Sequence, residues 1–229
     1  MSQLVIYAHP SSQLHDISPW RSFNHPLSPY RDGGHIVLTH LHLDHSGGLP
    51  DFPWAKVHVF APEYQAATRQ RQKGLLTWFG YDAVHLAHGP RWVLYELGGE
   101  WFGLPCAPVE GIGSQRLVLV PLIGHTSGHC GVAVEVEGGW IMHCGDAYVR
   151  DVQIDTDNPQ SPFPKWAAAF KRVVFPVSAL QKLRVLRREQ GRTVKMFSAH
   201  DPIACAEMRA AAQQLTGAEL AIWSGLEVG

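Results

Sequence analysis

Residues 39–48 read Thr-His-Leu-His-Leu-Asp-His-Ser-Gly-Gly and directly follow a short apolar run at residues 36–38. The apolar run is typical of a buried β-strand, and in extended backbone residues two apart point to the same side. His40 and His42 can therefore chelate one metal ion. Asp44 and His45 lie further along, so they are placed to hold a second ion once the loop enters a helix.

The ligand types in this segment indicate which metals it suits. Imidazole nitrogen and carboxylate oxygen together are typical of zinc and its first-row neighbours, whereas calcium and magnesium sites are built almost wholly from oxygen. The alternative is a histidine-rich surface loop, since the chain carries 14 histidines in 229 residues. The spacing after a strand favours the metal site, provided that further ligands converge on it.

Three later apolar runs each end in a small residue that is followed by one more potential ligand. Residues 117–123 lead into Gly124-His125, residues 140–144 into Gly145-Asp146, and residues 195–199 into His200. Functional side chains concentrate in the loops that follow such strands. Four strand ends are therefore expected to converge on one site.

With this series of motifs the chain resembles the metallo-β-lactamase-fold hydrolase superfamily, over roughly residues 34 to 205. The resemblance implies an α/β fold, the αββα sandwich, in which two mixed β-sheets lie face to face between helices. It also implies two zinc ions per chain. In that arrangement His40, His42 and His125 hold the first ion. The second ion is held by Asp44, His45 and His200, and Asp146 bridges both.

The implied reaction is hydrolysis of a small-molecule substrate at an ester, lactone, thioester or amide bond. Two divalent ions lower the pKa of a bridging water, so that a hydroxide nucleophile exists at neutral pH. Asp44 would act as the catalytic residue by orienting that hydroxide. Tyr148 is a candidate donor to a substrate carbonyl, with a buried structural tyrosine as the alternative.

Three other functions stay open from the sequence. A mononuclear iron enzyme of the persulfide-dioxygenase type would use a subset of these ligands, but the complete second set argues against it. A phosphodiesterase would share the fold and the metal site. A non-catalytic binding protein is disfavoured by the intact ligands. The tryptophan-rich segment from Trp78 to Trp101, with Trp166, would suit an apolar substrate such as a lactone, and tryptophans packed in a core explain it equally well.

The other histidines lack this spacing. His129 is expected to pack or to orient a ligand, and His143 to be a strand residue near the site. The remaining seven are expected to be surface residues or hydrogen-bonded core residues: His9, His15, His25, His35, His58, His85 and His88.

Local patterns predict several further elements. Periodicity and turn residues predict strands at residues 56–60 and 92–97, and a β-hairpin that turns at Gly138-Gly139. A helix is predicted from Pro62 to about Gln72, since proline is tolerated at a first helical position. Ser178 to Gln181 is a capping-box pattern that opens a helix ending at Gly191, with Leu180, Leu183 and Leu186 on one face. A last helix is predicted from about residue 202 to 214.

The N-terminal part departs from the family pattern. Only 39 residues precede His40, and they lack the Asp-Thr-Gly turn that usually follows two or three strands. Because an incomplete sheet exposes unpaired backbone groups, residues 1–35 are expected to form an irregular lid on the first sheet or a homodimer contact. Leu4 to Tyr7 is the segment there with strand character.

Composition agrees with one domain that spans residues 1–229. Hydrophobic residues make up 45% of the chain, and the formal net charge is −1, without the basic surface expected of a nucleic-acid binder. The four cysteines form no C-x-x-C pair, which favours a reduced environment. Without a basic leader or an apolar run of membrane-spanning length, the chain is expected to be cytoplasmic and to have no membrane partner.

Overall fold

The computed structural model describes residues 4–8, 34–72, 81, 86–112, 115–155, 177–201, 203–204, 207 and 220–224. Within these ranges the strands are β1 (Leu4–Ala8), β2 (His35–Val37), β3 (Lys56–Phe60), β4 (Arg91–Tyr95), β5 (Gly99–Trp101), β6 (Leu104–Val109), β7 (Leu117–Pro121), β8 (Cys130–Val136), β9 (Gly139–His143), β10 (Val194–Phe197) and β11 (Leu220–Ser224). The α-helices are α1 (Leu43–Ser46), α2 (Ala61–Gln72) and α3 (Val177–Gln190).

The strands form two mixed sheets. The first has the order β11-β1-β2-β3-β4, in which β2, β3 and β4 are parallel and β1 is antiparallel to both of its neighbours. The second has the order β10-β9-β8-β7-β6-β5, with β10 parallel to β9 and the other described pairs antiparallel. The strands β7, β9 and β10 therefore run in one direction, and their carboxyl ends lie at the same edge of the second sheet.

Three buried apolar clusters define the layers. Val37 points between the sheets and shares a cluster with Leu119 and other residues of the second sheet. The adjacent Ile36 points to the opposite face, as strand geometry requires, and belongs to a cluster with Ala67 of α2. The leucines of α3 pack in a third cluster with Met142 of β9. The resulting order of helix, sheet, sheet and helix is the predicted αββα sandwich.

Most locally predicted elements are confirmed where the structure describes them. Strand β3 and helix α2 end at the predicted residues, and β8 and β9 form the predicted hairpin, with Gly138 at φ 82° in its turn. Strand β4 stops at Tyr95, two residues early. Ser178 lies inside α3, because Val177 is already helical, so the helix does not start at the predicted cap. Of the predicted last helix, residues 203, 204 and 207 are helical and the others lie outside the described residues.

The first sheet is completed from both ends of the chain. The short N-terminal part supplies one described strand, β1, which pairs with β2 at Ile6–Val37 and with β11 at Ile6–Ile222. Leu4–Ala8 is thus an inner strand and does not belong to an irregular lid; residues 9–33 lie outside the described residues. Strand β11 was not predicted, because no local pattern shows which distant segment will pair with an open edge.

Two further expectations concern apolar character. In the described part of the chain, no helix combines the length and the hydropathy needed to cross a bilayer. Trp101 is buried in the cluster beneath α3, and Trp92 packs beside Tyr64 of α2. For these two tryptophans the core interpretation is therefore confirmed, whereas Trp78 and Trp166 lie outside the described residues.

Candidate metal centre

The histidine-rich segment begins where β2 leaves the first sheet. Leu41 packs into the core beside α2, so the alternation of the extended backbone turns His40 and His42 the other way. His42 keeps an extended conformation, with φ −64° and ψ 156°, and stands directly before α1. Asp44 and His45 then occupy the first turn of that short helix, as the sequence predicted.

The first group of ligand atoms joins this segment to the loop after β7. His40, His42 and His125 each offer one nitrogen, and these atoms lie within 4.8 Å of one another. Nε2 of His125 is 3.0 Å from Nδ1 of His42. Thr39 Oγ1 lies 3.1 Å from Nδ1 of His40, which holds that ring with Nε2 toward the group.

The second group draws on three loops. Asp44, His45, Asp146 and His200 also have ligand atoms within 4.8 Å of one another. The Asp146 carboxylate lies 3.1 Å from His45 Nε2 and 3.0 Å from His200 Nε2. It also reaches the first group, because its Oδ2 is 3.4 Å from Nε2 of His125. All seven predicted residues are therefore brought together, with Asp146 between the two groups; their role as metal ligands stays a prediction.

The donor set fits zinc. Tetrahedral zinc with Zn–N bonds of 2.0–2.1 Å holds its ligand atoms about 3.3 Å apart. The separations of 3.0–3.4 Å between His42 and His125, and between Asp146 and His45, His125 and His200, are close to that value. Moreover, among the described residues His40 Nε2 has no hydrogen-bond partner, and His45 Nε2 and Asp146 Oδ1 lie 3.1 Å apart without the geometry of a hydrogen bond. Buried polar atoms are rarely left without a partner, and each such case calls for an explanation such as an ion. A pair of metal ions would satisfy these atoms.

The protonation states suit metal binding. Burial lowers the pKa of His40 well below its usual value and that of His42 to about 4, and neighbouring histidines add to both shifts. Burial would raise the pKa of Asp146, but His45 and the hydrogen bond from His200 outweigh it and hold the pKa well below its usual range. The pKa of His200 moves the other way, because its hydrogen bond to Asp146 raises it. Neutral imidazole and ionised carboxylate are the forms that bind metal.

His129 supports the loop that carries Asp146. Its Nε2 accepts a 2.9 Å hydrogen bond from the Asp146 backbone N–H, so its Nδ1 carries the proton and donates to the Leu122 carbonyl at 3.1 Å. Burial lowers the pKa of His129 to about 3, which keeps this neutral tautomer. Gly145 is required here, since it has φ 53° and a Cβ would lie 2.5 Å from Nε2 of His129. The expectation that His129 orients a ligand agrees with this geometry.

The loop of His200 is fixed by its two neighbours. The Ser198 hydroxyl donates to the Tyr148 carbonyl at 2.5 Å and accepts from the His200 backbone N–H at 3.2 Å. Asp201 accepts from the backbone N–H groups of Asp151 and Ile203. These bonds join the end of β10 to the segment after β9, which brings His200 next to Asp146.

Tyr148 and His143 were the other residues singled out near the site. Tyr148 is fully buried in the cluster with Leu183 and lies beside the Cys144 thiol. This placement supports a structural role for Tyr148 and does not support a contact with the substrate. His143 ends β9, stacks edge-on against Phe197 and accepts from the Gly145 backbone N–H at 3.3 Å. It is therefore a strand residue beside the site and belongs to neither ligand group.

One buried carboxylate was missed by sequence reasoning. Glu63, in the first turn of α2, is fully buried, and it accepts hydrogen bonds from the Leu41 backbone N–H at 2.9 Å, the Tyr81 hydroxyl at 3.0 Å and the Thr126 hydroxyl at 2.5 Å. Burial raises its pKa, and these hydrogen bonds oppose the rise. Glutamate is common in the first turn of a helix, so the sequence carried no signal that it points at the site.

The chain is similar to known proteins over the region that carries this site. The family model of the metallo-beta-lactamase superfamily matches residues 31–200, which include all seven clustered residues. The chain belongs to the metallo-beta-lactamase superfamily. Two mycobacterial proteins, from Mycobacterium tuberculosis and Mycobacterium bovis, are each 39% identical over 185 residues, and both are named as probable metallo-hydrolases. The match covers 76% of this chain and 54% of theirs, so the chain spans about half the length of these curated relatives.

Two solved structures are more distantly similar. An N-acyl homoserine lactone hydrolase with bound N-hexanoyl-L-homoserine is similar at 19% identity and a TM-score of 0.49, covering 76% of this chain and 58% of that one. A metal-dependent hydrolase described as probable, from Staphylococcus aureus, has 16% identity and a TM-score of 0.49, covering 73% of this chain and 54% of that one.

Proposed function

We propose that this superfamily member is a dinuclear zinc hydrolase that cleaves an ester, lactone, thioester or amide bond in a small molecule. The observation that carries the proposal is the pair of ligand groups, three histidines and a mixed group of four, joined by the Asp146 carboxylate. Two zinc ions bound there would supply a water of lowered pKa and an electrophile for the substrate oxygen. A mononuclear iron site would not explain why Asp44, His45 and His200 form a second group of potential ligands.

Exposure indicates where a substrate would approach. The side chains of Asp44 and His200 are each about a third exposed, whereas those of His40 and His45 are buried. The opening of the site is thus on the side of Asp44 and His200. Asp44 would orient a water molecule there and hold its proton, which is the role proposed for the catalytic residue.

The surroundings support an apolar or neutral substrate, such as a lactone. Large apolar side chains next to the ligand positions are exposed: Leu43 between His42 and Asp44, and Ile123 two residues before His125. Exposed apolar groups beside a polar site are typical of a surface that receives the apolar part of a ligand. A small-molecule substrate, with neither nucleic acid nor membrane as partner, remains part of the proposal, as does a cytoplasmic location.

The test combines metal analysis with a substrate panel. The apo protein is reloaded with zinc or iron in turn, its metal content is measured, and lactone, β-lactam, thioester and phosphodiester substrates are assayed. About two zinc ions per chain and turnover of a lactone or another acyl substrate are expected. Asp44→Ala should remove most turnover and keep the fold, with Glu135→Gln, a surface carboxylate paired with Arg116, as the matched control. One iron per chain, or activity confined to phosphodiesters, would contradict the proposal.

A further inference from the structure

Glu63 is a carboxylate buried among uncharged donors. Besides the hydrogen bonds from Leu41, Tyr81 and Thr126, it accepts one from the backbone N–H of Gly128. Burying a carboxylate is costly unless it is hydrogen-bonded, and four donors on two oxygens meet that requirement. An apolar side chain in its place would leave these buried donors without an acceptor, so the carboxylate holds together the segments that carry them.

Three of the four donors, Leu41, Thr126 and Gly128, belong to the segments that carry the first ligand group, and the fourth, Tyr81, contacts one of its rings. Leu41 lies between His40 and His42, and Thr126 directly follows His125. The ring of Tyr81, whose hydroxyl donates to Glu63, stands edge-on to the ring of His42 with centroids 5.2 Å apart. One carboxylate thus joins two loops that are distant in sequence but must present their nitrogens to the same ion.

Close backbone packing makes the connection rigid. A Cβ added at Gly128 would lie 2.0 Å from the backbone nitrogen of Glu63, so the loop after β7 rests directly on the first turn of α2. The first turn of α2 therefore fixes the positions of both Leu41 and Thr126. Among the described hydrogen bonds of Glu63, none reaches Asp44, His45, Asp146 or His200.

We infer that Glu63 is a positioning residue that holds His40, His42 and His125 in the geometry needed for the first metal ion. The inference rests on the proposed function, since it presumes that the two ligand groups bind divalent ions. It deepens that proposal because it makes the affinity of one ion, and not of the other, depend on a residue outside both groups. Partners that orient metal ligands typically change affinity by about 10- to 100-fold when they are lost.

The experiment titrates the metal-free protein with Co²⁺, and binding is followed by calorimetry and by the visible absorption of the bound ion. Glu63→Gln places an amide N–H₂ among hydrogen-bond donors, and Thr126→Val removes one donor; each should weaken one of two cobalt ions by about 10- to 100-fold. Thr126→Ser keeps the hydroxyl and should restore the affinity. His58→Gln is the control, because His58 is equally buried on β3 but bonds to His35 and Tyr95 away from the ligands, at 2.7 Å each.

The outcomes separate the two proposals. Two cobalt ions bound to the wild type with unchanged affinities in Glu63→Gln and Thr126→Val would overturn the role of Glu63 and leave the metal centre standing. A wild type that binds no cobalt would overturn the proposed function, and the inference with it. Equal weakening in His58→Gln would show that lost stability alone lowers affinity, which also overturns the inference. Should Glu63→Gln not fold, the comparison of Thr126→Val with Thr126→Ser decides.

Discussion

Substituting Gly128 by alanine tests the packing between the loop after β7 and helix α2. The added Cβ would lie 2.0 Å from Glu63 N, 2.3 Å from Glu63 Cα and 2.6 Å from Pro62 C, whereas real Cβ contacts lie beyond 3.0 Å. The obstructing atoms are backbone, so the loop has to move by at least about 1 Å, the difference between these separations. The backbone of Gly128 has no positive φ, so any effect comes from the contact.

The expected cost combines two effects. Forcing an extra methyl group into a packed region costs about 1–3 kcal/mol. A movement of about 1 Å also breaks a hydrogen bond from the loop to the Glu63 carboxylate, and hydrogen bonds to charged groups contribute about 1.5–3 kcal/mol. We expect the free energy of unfolding to fall by about 3 kcal/mol, which for a domain of this size lowers Tm by about 6–12 °C.

Urea unfolding and thermal melting of the metal-free protein, followed by circular dichroism, measure this change. Gly98→Ala is the matched control, because an added Cβ there meets nothing within 4 Å and the backbone has no positive φ. It should change stability by no more than about 0.5 kcal/mol, as surface substitutions usually do. Equal stability of Gly128→Ala and Gly98→Ala would refute the close contact between the loop and α2.

Three further predictions concern other parts of the molecule. His125→Ala should lose more bound metal than His129→Ala, because only His125 belongs to a ligand group; equal losses in elemental analysis would mean that the two roles are misassigned. Burial, with His35 nearby, lowers the pKa of His58 to about 3, so between pH 6.5 and 3 the unfolded chain binds a proton that the folded chain does not. On acidification through that range, this group lowers the free energy of unfolding of the wild type by up to about 1.4 kcal/mol per pH unit. The difference in unfolding free energy between the wild type and His58→Gln should therefore shrink as the pH falls. A constant difference in urea unfolding from pH 7 to 5 would argue against this. The homodimer contact expected of residues 1–35 predicts a dimer mass in sedimentation equilibrium, and a monomer would contradict it.

The set of seven clustered residues could be predicted because its signals are local. His40, His42, Asp44 and His45 lie within six positions, and the other three clustered residues each follow an apolar run and a small residue. Strand alternation and the start of α1 then determine which side chains share a side. The hairpin of β8 and β9 and the buried leucines of α3 were predictable for the same reason, since side-chain periodicity and turn residues act over a few positions.

Other features depend on contacts between segments far apart in the chain. Strand β11 pairs with β1, and Glu63 meets Leu41, Tyr81 and Thr126, although nothing in the local sequence of any partner points to the other. Tyr148 could not be assigned from the sequence for the same reason. It lies close to Asp146 in sequence, which is compatible with a substrate contact, but its side chain packs in the core.

The sequence by itself determined the seven clustered residues and the superfamily resemblance that they carry, because spacing is a property of a single segment. The layered α/β architecture was implied by that resemblance. Tertiary structure decided that β11 completes the first sheet, that Tyr148 packs in the core, and that Glu63 ties the loops of the first group to α2. Those arrangements arise when the two sheets pack and bring separate strand ends to one edge. Their geometry exists only in the folded chain, where burial makes each hydrogen-bond partner matter.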